Sequence, residues 1–87
     1  MNIDTSKIEK IMKRLSRKDP VLFRTLQKKI SQIGTFDFAT INEHFKNLVG
    51  DMSHLKRVRI GSFVLTFKLK GNTIIFEDFC HHKGAYK

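Results

Sequence analysis

The chain has 87 residues, enough for one modest hydrophobic core, so residues 1–87 are read as a single domain. Seventeen Lys and Arg against eight acids give a formal charge of +9, which points to a polyanionic partner such as nucleic acid, or to an acidic protein that shields the charge. No apolar run approaches the length of a membrane span, no apolar leader opens the chain, and one cysteine cannot make an internal disulfide; these features point to the cytoplasm and away from the membrane.

Residues 1–33 hold nine bases and three acids, residues 34–53 one base and three acids, and residues 54–87 seven bases and two acids. Two basic segments therefore flank an acidic middle. In the first segment, "SKIEKIMKRLSRK" places Ile8, Ile11, Met12 and Leu15 at helical spacing, and Ser6 with Glu9 has the spacing of a capping box, so a helix is expected to begin at residues 4–6. "DPVLFRTLQKKISQIG" is a second helix: Asp19 can cap it, Pro20 suits its first position, Gly34 suits its exit, and Leu22, Phe23, Leu26, Ile30 and Ile33 form its buried stripe. The short link predicts an antiparallel helical hairpin. In "FDFATINEHFKNLVG", Phe38, Ile41, Phe45 and Leu48 fit either a short helix capped by Asp37 or Thr40, or a loop with one helical turn.

From His54 onward the apolar period changes to two. "HLKRVRI", "FVLTFKLK" and "TIIFEDFC" read as three strands, separated by the two-residue turns Gly61–Ser62 and Gly71–Asn72. The fold class is therefore α+β, a helical hairpin on one face of a three-stranded antiparallel meander. Two-residue turns fix the register. Ile60 faces Phe63 and Arg57 faces Thr66 across the first; Leu69 faces Ile74, Phe67 faces Phe76, Thr66 faces Glu77 and Val64 faces Phe79 across the second. One face then carries Val58, Ile60, Phe63, Leu65, Phe67, Leu69, Ile74 and Phe76, which the helices should cover. The other carries Arg57, Arg59, Val64, Thr66, Lys68, Ile75, Glu77, Phe79 and, by parity, His81. Basic side chains interleaved with an aromatic ring suit a nucleotide, with phosphate on guanidinium and base on ring. The bland alternative buries Val64, Ile75 and Phe79 against residues 36–48.

"KRVRIGSFVLTFKLKGNTIIFEDFCHHKGAY" resembles the C-terminal half of the RelE/ParE toxin superfamily. "RVRIGSFVLTF" is similar to its Arg-x-Arg strand and turn, "CHHKGAYK" to its terminal His-Arg-x-x-x-Tyr tail, and "EHFKNLVGDM" to the segment ahead of the sheet. The likeness covers roughly residues 43–87. It implies a messenger-RNA endonuclease, free or on the ribosome, or in the ParE branch a gyrase inhibitor that does not cleave RNA. It also implies an antitoxin protein that masks the basic face. Carried over position by position, it places Arg57 and Arg59 on the phosphate, Tyr86 at the ribose 2′-hydroxyl, and His81 and His82 on the tail's His-Arg pair. Lys87 falls on the basic residue after the tyrosine. The chain departs from the family at Val64 and Cys80, where Arg is common, and at its start, which leaves the family's first strand missing or vestigial.

Attack of a 2′-hydroxyl on phosphorus needs a proton acceptor, a proton donor and positive charge, and no metal or other cofactor. Arg57 and Arg59 can supply the charge, and His81, His82 and Tyr86 the proton chemistry. Lys68, Phe79, Lys83 and Lys87 are expected to bind substrate. Glu77 either orients Arg57 or makes a plain cross-strand ion pair. Zinc needs about four converging ligands; Cys80, His81 and His82 are consecutive and alternate on a strand, so no metal site is expected, and Cys80 reads as a small buried filler beside Phe63. The third reading is a basic RNA-binding domain unrelated to toxins.

Overall fold

The computed structural model describes residues 1–45 and 55–84. In chain order these form β1 (Asn2–Asp4), α1 (Glu9–Lys18), α2 (Pro20–Gly34), α3 (Phe38–His44), β2 (Lys56–Ile60), β3 (Phe63–Lys70) and β4 (Thr73–His81), with 3-10 turns at Ser6–Ile8 and His82–Gly84. The strands make one sheet in the order β1-β4-β3-β2. The α+β architecture is the one read from the sequence. The first strand is vestigial: three residues lie parallel to β4, with Ile3 opposite Ile74.

Local chemistry explains the helix ends. Asp19 Oδ1 accepts from the Leu22 amide at 3.1 Å and Asp37 Oδ1 from the Thr40 amide at 2.7 Å, each satisfying an amide that the first helical turn leaves without a partner. Residues 38–44 are thus helical and not a loop. The expected Ser6–Glu9 capping box does not form. Ser6 instead donates through both its amide, at 2.9 Å, and its hydroxyl, at 2.7 Å, to Asp4 Oδ1, and a 3-10 turn precedes α1. Gly34 does not exit α2 in a left-handed conformation. Its use is space: a Cβ there would overlap Ile3 Cδ1, so glycine lets β1 cross the end of α2.

The core lies between the helices and one sheet face. Ile8, Leu26, Ile30, Ile33 and Ile41 meet Ile60, Leu65, Phe67, Ile74, Phe76 and Phe79, with Ile11, Met12, Leu15, Leu22, Val58 and Leu69 packed around them. Phe67 and Phe76 expose nothing to solvent, and each such burial is worth about 1.5–3 kcal/mol.

The β2–β3 register is as read, from Ile60 opposite Phe63 to Arg57 opposite Thr66. The β3–β4 register starts as read, through Phe67 opposite Phe76, and then slips. Thr66 faces Asp78, Leu65 faces Phe79, Val64 faces Cys80 and Phe63 faces His81. One extra residue on β4 makes a β-bulge, and each side chain beyond it changes face. The gain is a buried Phe79, only 4% exposed, stacked on Phe63 with ring centroids 5.2 Å apart. Four expectations are corrected here. Phe79 belongs to the core and not to the open face. His81 stands on the helix side, edge-on to Phe63 at 5.6 Å. Cys80 is not a filler beside Phe63; it is half-buried on the Arg side opposite Val64. Thr66 faces Asp78 in place of Glu77.

Candidate nucleic-acid interface

The open face is read as rows of side chains crossing the strands. One row is Arg57–Thr66–Asp78 and the next is Arg59–Val64–Cys80. A third runs Lys68–Ile75–Asp4. Strands sit about 4.8 Å apart, so each row spans about 10 Å of backbone, room for one nucleotide. Arg57 and Arg59 are exposed, two residues apart on the same side of β2. Val64 is 1% exposed and Thr66 6%, so the floor between the arginines and β4 is closed to solvent.

Glu77, at the bulge, makes the cross-strand ion pair of the two readings, with Lys68, and does not orient Arg57. Its Oε2 accepts from Lys7 Nζ at 2.8 Å and its Oε1 lies 2.9 Å from Lys68 Nζ. Burial opposes ionisation of this carboxyl, but the hydrogen bonds and charges of the two lysines outweigh it and hold the group below the ordinary Glu range. Lys68 is therefore positioned by an acid, not loose on the surface. Asp78, which the sequence reading passed over, is exposed on the Arg side, its Oδ1 accepting the Phe79 amide at 2.8 Å. Burial pushes the Cys80 thiol up, and the charge of Asp78 and a hydrogen bond to it push further, so Cys80 is a poor nucleophile. Spacing was the available signal for the bulge: Phe76 to Phe79 is three positions, not two.

At the end of β4, His82 is tied to the β2–β3 turn. Its amide donates to Ser62 O at 2.9 Å and its Nδ1 lies 3.1 Å from the same oxygen. The His81 and His82 rings lie 4.6 Å apart. Lys83 is exposed beside them. Tyr86 and Lys87 lie outside the described residues. Lys56 was also passed over: it is 7% exposed on the covered side, its Nζ donating to Phe45 O at 3.3 Å, and burial lowers its ammonium pKa. Among the described residues no three His, Cys, Asp or Glu side chains could hold a metal ion, and no helix is long and apolar enough to cross a membrane.

The candidate toxin RelE4 of Methanocaldococcus jannaschii is 39% identical over 84 residues, covering 92% of this chain and 83% of that protein. The chain belongs to the RelE-like toxin superfamily. No family profile matches it, but two solved structures share the RelE-like fold. YafQ from Escherichia coli BL21(DE3) matches 99% of this chain and 98% of its own at a TM-score of 0.70 and 13% identity. The toxin–antitoxin complex RelBE2 from Mycobacterium tuberculosis supplies a chain that matches 93% of this one and 96% of its own at a TM-score of 0.53 and 13% identity.

Two features mark this RelE-like chain. At Val64, one of the positions where the chain departs from the resemblance, the side chain is buried. The helices are densely basic: residues 10–29 hold eight bases and one acid, and that acid, Asp19, caps α2. Lys10, Lys13, Arg14, Arg17 and Lys18 line one shallow groove on α1, and Arg24 and Lys28 another on α2.

Proposed function

We propose that this chain is the toxin of a toxin–antitoxin pair and that it cleaves RNA by attack of a ribose 2′-hydroxyl on the adjacent phosphate. The observation that carries the reading is the pair of exposed arginines, Arg57 and Arg59, on the strand that leads into the turn to which His82 is hydrogen-bonded. Their guanidinium groups would bind the phosphate and stabilise the charge that gathers on its oxygens. A histidine at the end of β4 would take the 2′-hydroxyl proton, with Tyr86, carried over from the resemblance, assisting. The P–O5′ bond then breaks to leave a cyclic phosphate and a 5′-hydroxyl. Lys68, held by Glu77, and Lys83 and Lys87 would track the strand. Phe79 has no part, being in the core.

The charged α1–α2 surface supports a second, larger polyanion beyond the cleaved strand, which ribosomal RNA could supply. The complex reported for the Mycobacterium tuberculosis neighbour supports an antitoxin as the protein partner. An acidic segment would suit the open face, where it would compete with RNA for the arginines.

Buried Val64 favours a second reading, in which the fold binds gyrase or another macromolecule without cleaving RNA. Incubation of defined RNA with the chain, with and without ribosomes, separates the two. The expected result is cleavage that falls about 10²–10³-fold in Arg59→Ala with an unchanged circular dichroism spectrum. Intact RNA under all conditions, together with arrest of gyrase, would establish the second reading.

A further inference from the structure

The bulge in β4 moves a second side chain besides Phe79. Unbroken alternation would have set Asp78 on the covered face; the extra residue turns it to the Arg side, opposite Thr66 and in one row with Arg57. The side chain is exposed. Its carboxylate is fixed at the base: Oδ1 accepts the Phe79 amide at 2.8 Å, and the Cys80 thiol hydrogen-bonds to the same group. Glu77 and Asp4, acids on the same side, are engaged elsewhere. Glu77 lies between Lys7 and Lys68, and Asp4 Oδ1 takes both donors of Ser6. Among the described residues Asp78 makes no ion pair. The open side of the sheet is therefore electrically polar along this row. Exposed guanidinium groups stand on β2 and a carboxylate stands on β4, two strand spacings or about 10 Å away. Phosphate is drawn to the first and repelled by the second. A nucleotide lying along Arg57–Thr66–Asp78 must then turn its phosphate to β2 and its base to β4.

An ionised carboxylate can only accept hydrogen bonds, so it favours a base edge made of N–H groups. Guanine alone among the four common bases offers two adjacent ones, at N1 and N2, which suit the paired oxygens of a carboxylate. Adenine and cytosine offer one amino group beside a ring-nitrogen acceptor. Uracil offers one ring N–H flanked by two carbonyls, which the carboxylate repels. We propose that Asp78 reads guanine in a single RNA strand whose phosphate lies on the β2 arginines, and so sets the base that the protein selects. The proposal rests on the RNA-binding part of the reading above and adds a base preference to it. Oδ2, and the lone pair that the Phe79 amide leaves on Oδ1, would accept from N1 and N2. The Phe79 amide is a positioning group, so the residue that fills the core also aims this carboxylate.

Binding can be measured apart from cleavage on 2′-deoxy pentanucleotides, which lack the attacking hydroxyl. Fluorescein-labelled strands, each with uracils around a central guanine, hypoxanthine, adenine, cytosine or uracil, are titrated by anisotropy at one fixed salt concentration. The guanine strand should bind about 5–150-fold tighter than the uracil strand. Hypoxanthine, which keeps N1–H but lacks the N2 amino group, should fall between them. Asp78→Asn keeps an oxygen for the Phe79 amide, so its melting temperature should hold, but it presents an amino group where guanine needs an acceptor. The strands should then bind alike, and the uracil strand should gain affinity because the repulsion of its phosphates is gone. A purely structural Asp78 gives another pattern: a lower melting temperature in Asp78→Asn and an equal loss of affinity on every strand. That pattern would overturn the proposal, as would a wild-type chain that binds all the strands alike or none of them. Guanine selection by a chain that cuts no RNA would sink the nuclease reading and leave the role of Asp78 standing; cutting without guanine selection would do the reverse.

Discussion

The two hairpins of the sheet begin alike and end differently. Each turns on a glycine in the left-handed region, Gly61 at φ 61° and Gly71 at φ 60°. The first then runs in unbroken register to Arg57 opposite Thr66, while the second holds only to Phe67 opposite Phe76 before the bulge intervenes. Turn chemistry sets where pairing starts, and burial decides whether it continues. Beyond Phe76 an unbroken strand would have turned Phe79 to the Arg side opposite Val64, and one unpaired residue places it in the core instead.

The sharpest way to break this comparison is Phe79→Ala. A core position should lose about 3–5 kcal/mol in urea unfolding, a large share of the roughly 4–13 kcal/mol available to a chain of this size. An exposed one would lose less than about 0.5 kcal/mol. Next in size are Gly61→Ala and Gly71→Ala. No atom lies within 4 Å of either added Cβ, so each should cost only the backbone term, about 1–2 kcal/mol. The two drops in melting temperature should match, because the bulge lies away from both turns.

A smaller effect is expected of Glu77→Gln, about 1 kcal/mol at neutral pH and low salt. Folding holds the Glu77 carboxyl below its ordinary range, so its contribution is present above the unfolded value of about 4.3. It is lost as the pH falls through the folded value. Denaturation curves of the two proteins should therefore converge in acid below about pH 4, and added salt should narrow the gap at neutral pH, since half of the Lys7 side chain is exposed. The smallest change is at Cys80. With its thiol pushed up by burial and by Asp78, iodoacetamide should modify it more slowly at pH 8 than it modifies free cysteine. A faster rate would mean that the Arg side of β4 is more open than described.

Much of this was legible in the residues. The helical hairpin, its Asp19 cap and the β2–β3 register follow from period, capping and a two-residue glycine turn, all local signals. The pair Arg57 and Arg59 was legible for the same reason. The positions of Phe79, Cys80 and His81 were not, because a bulge is decided by which packing wins across three strands. Of the two readings of Glu77, the cross-strand ion pair holds, with Lys68; its second partner, Lys7, lies 70 positions away, and no local pattern announces that meeting. The three-position step from Phe76 to Phe79 was the one local sign of the bulge. Ser6 chose Asp4 over the helix it was expected to cap, since the vestigial strand placed that carboxylate within reach.

The vestigial strand also sets an order of events. Residues 2–4 pair with residues 73–75, so each partner lies 71 positions away along the chain. During synthesis residues 2–4 emerge well before residues 73–75 and wait for them. The fourth strand cannot be docked, nor Lys7 reach Glu77, on a nascent chain still short of that point. The parallel edge of the sheet is thus closed only after residues 73–75 have joined the fold, and every earlier stage carries an incomplete version of it.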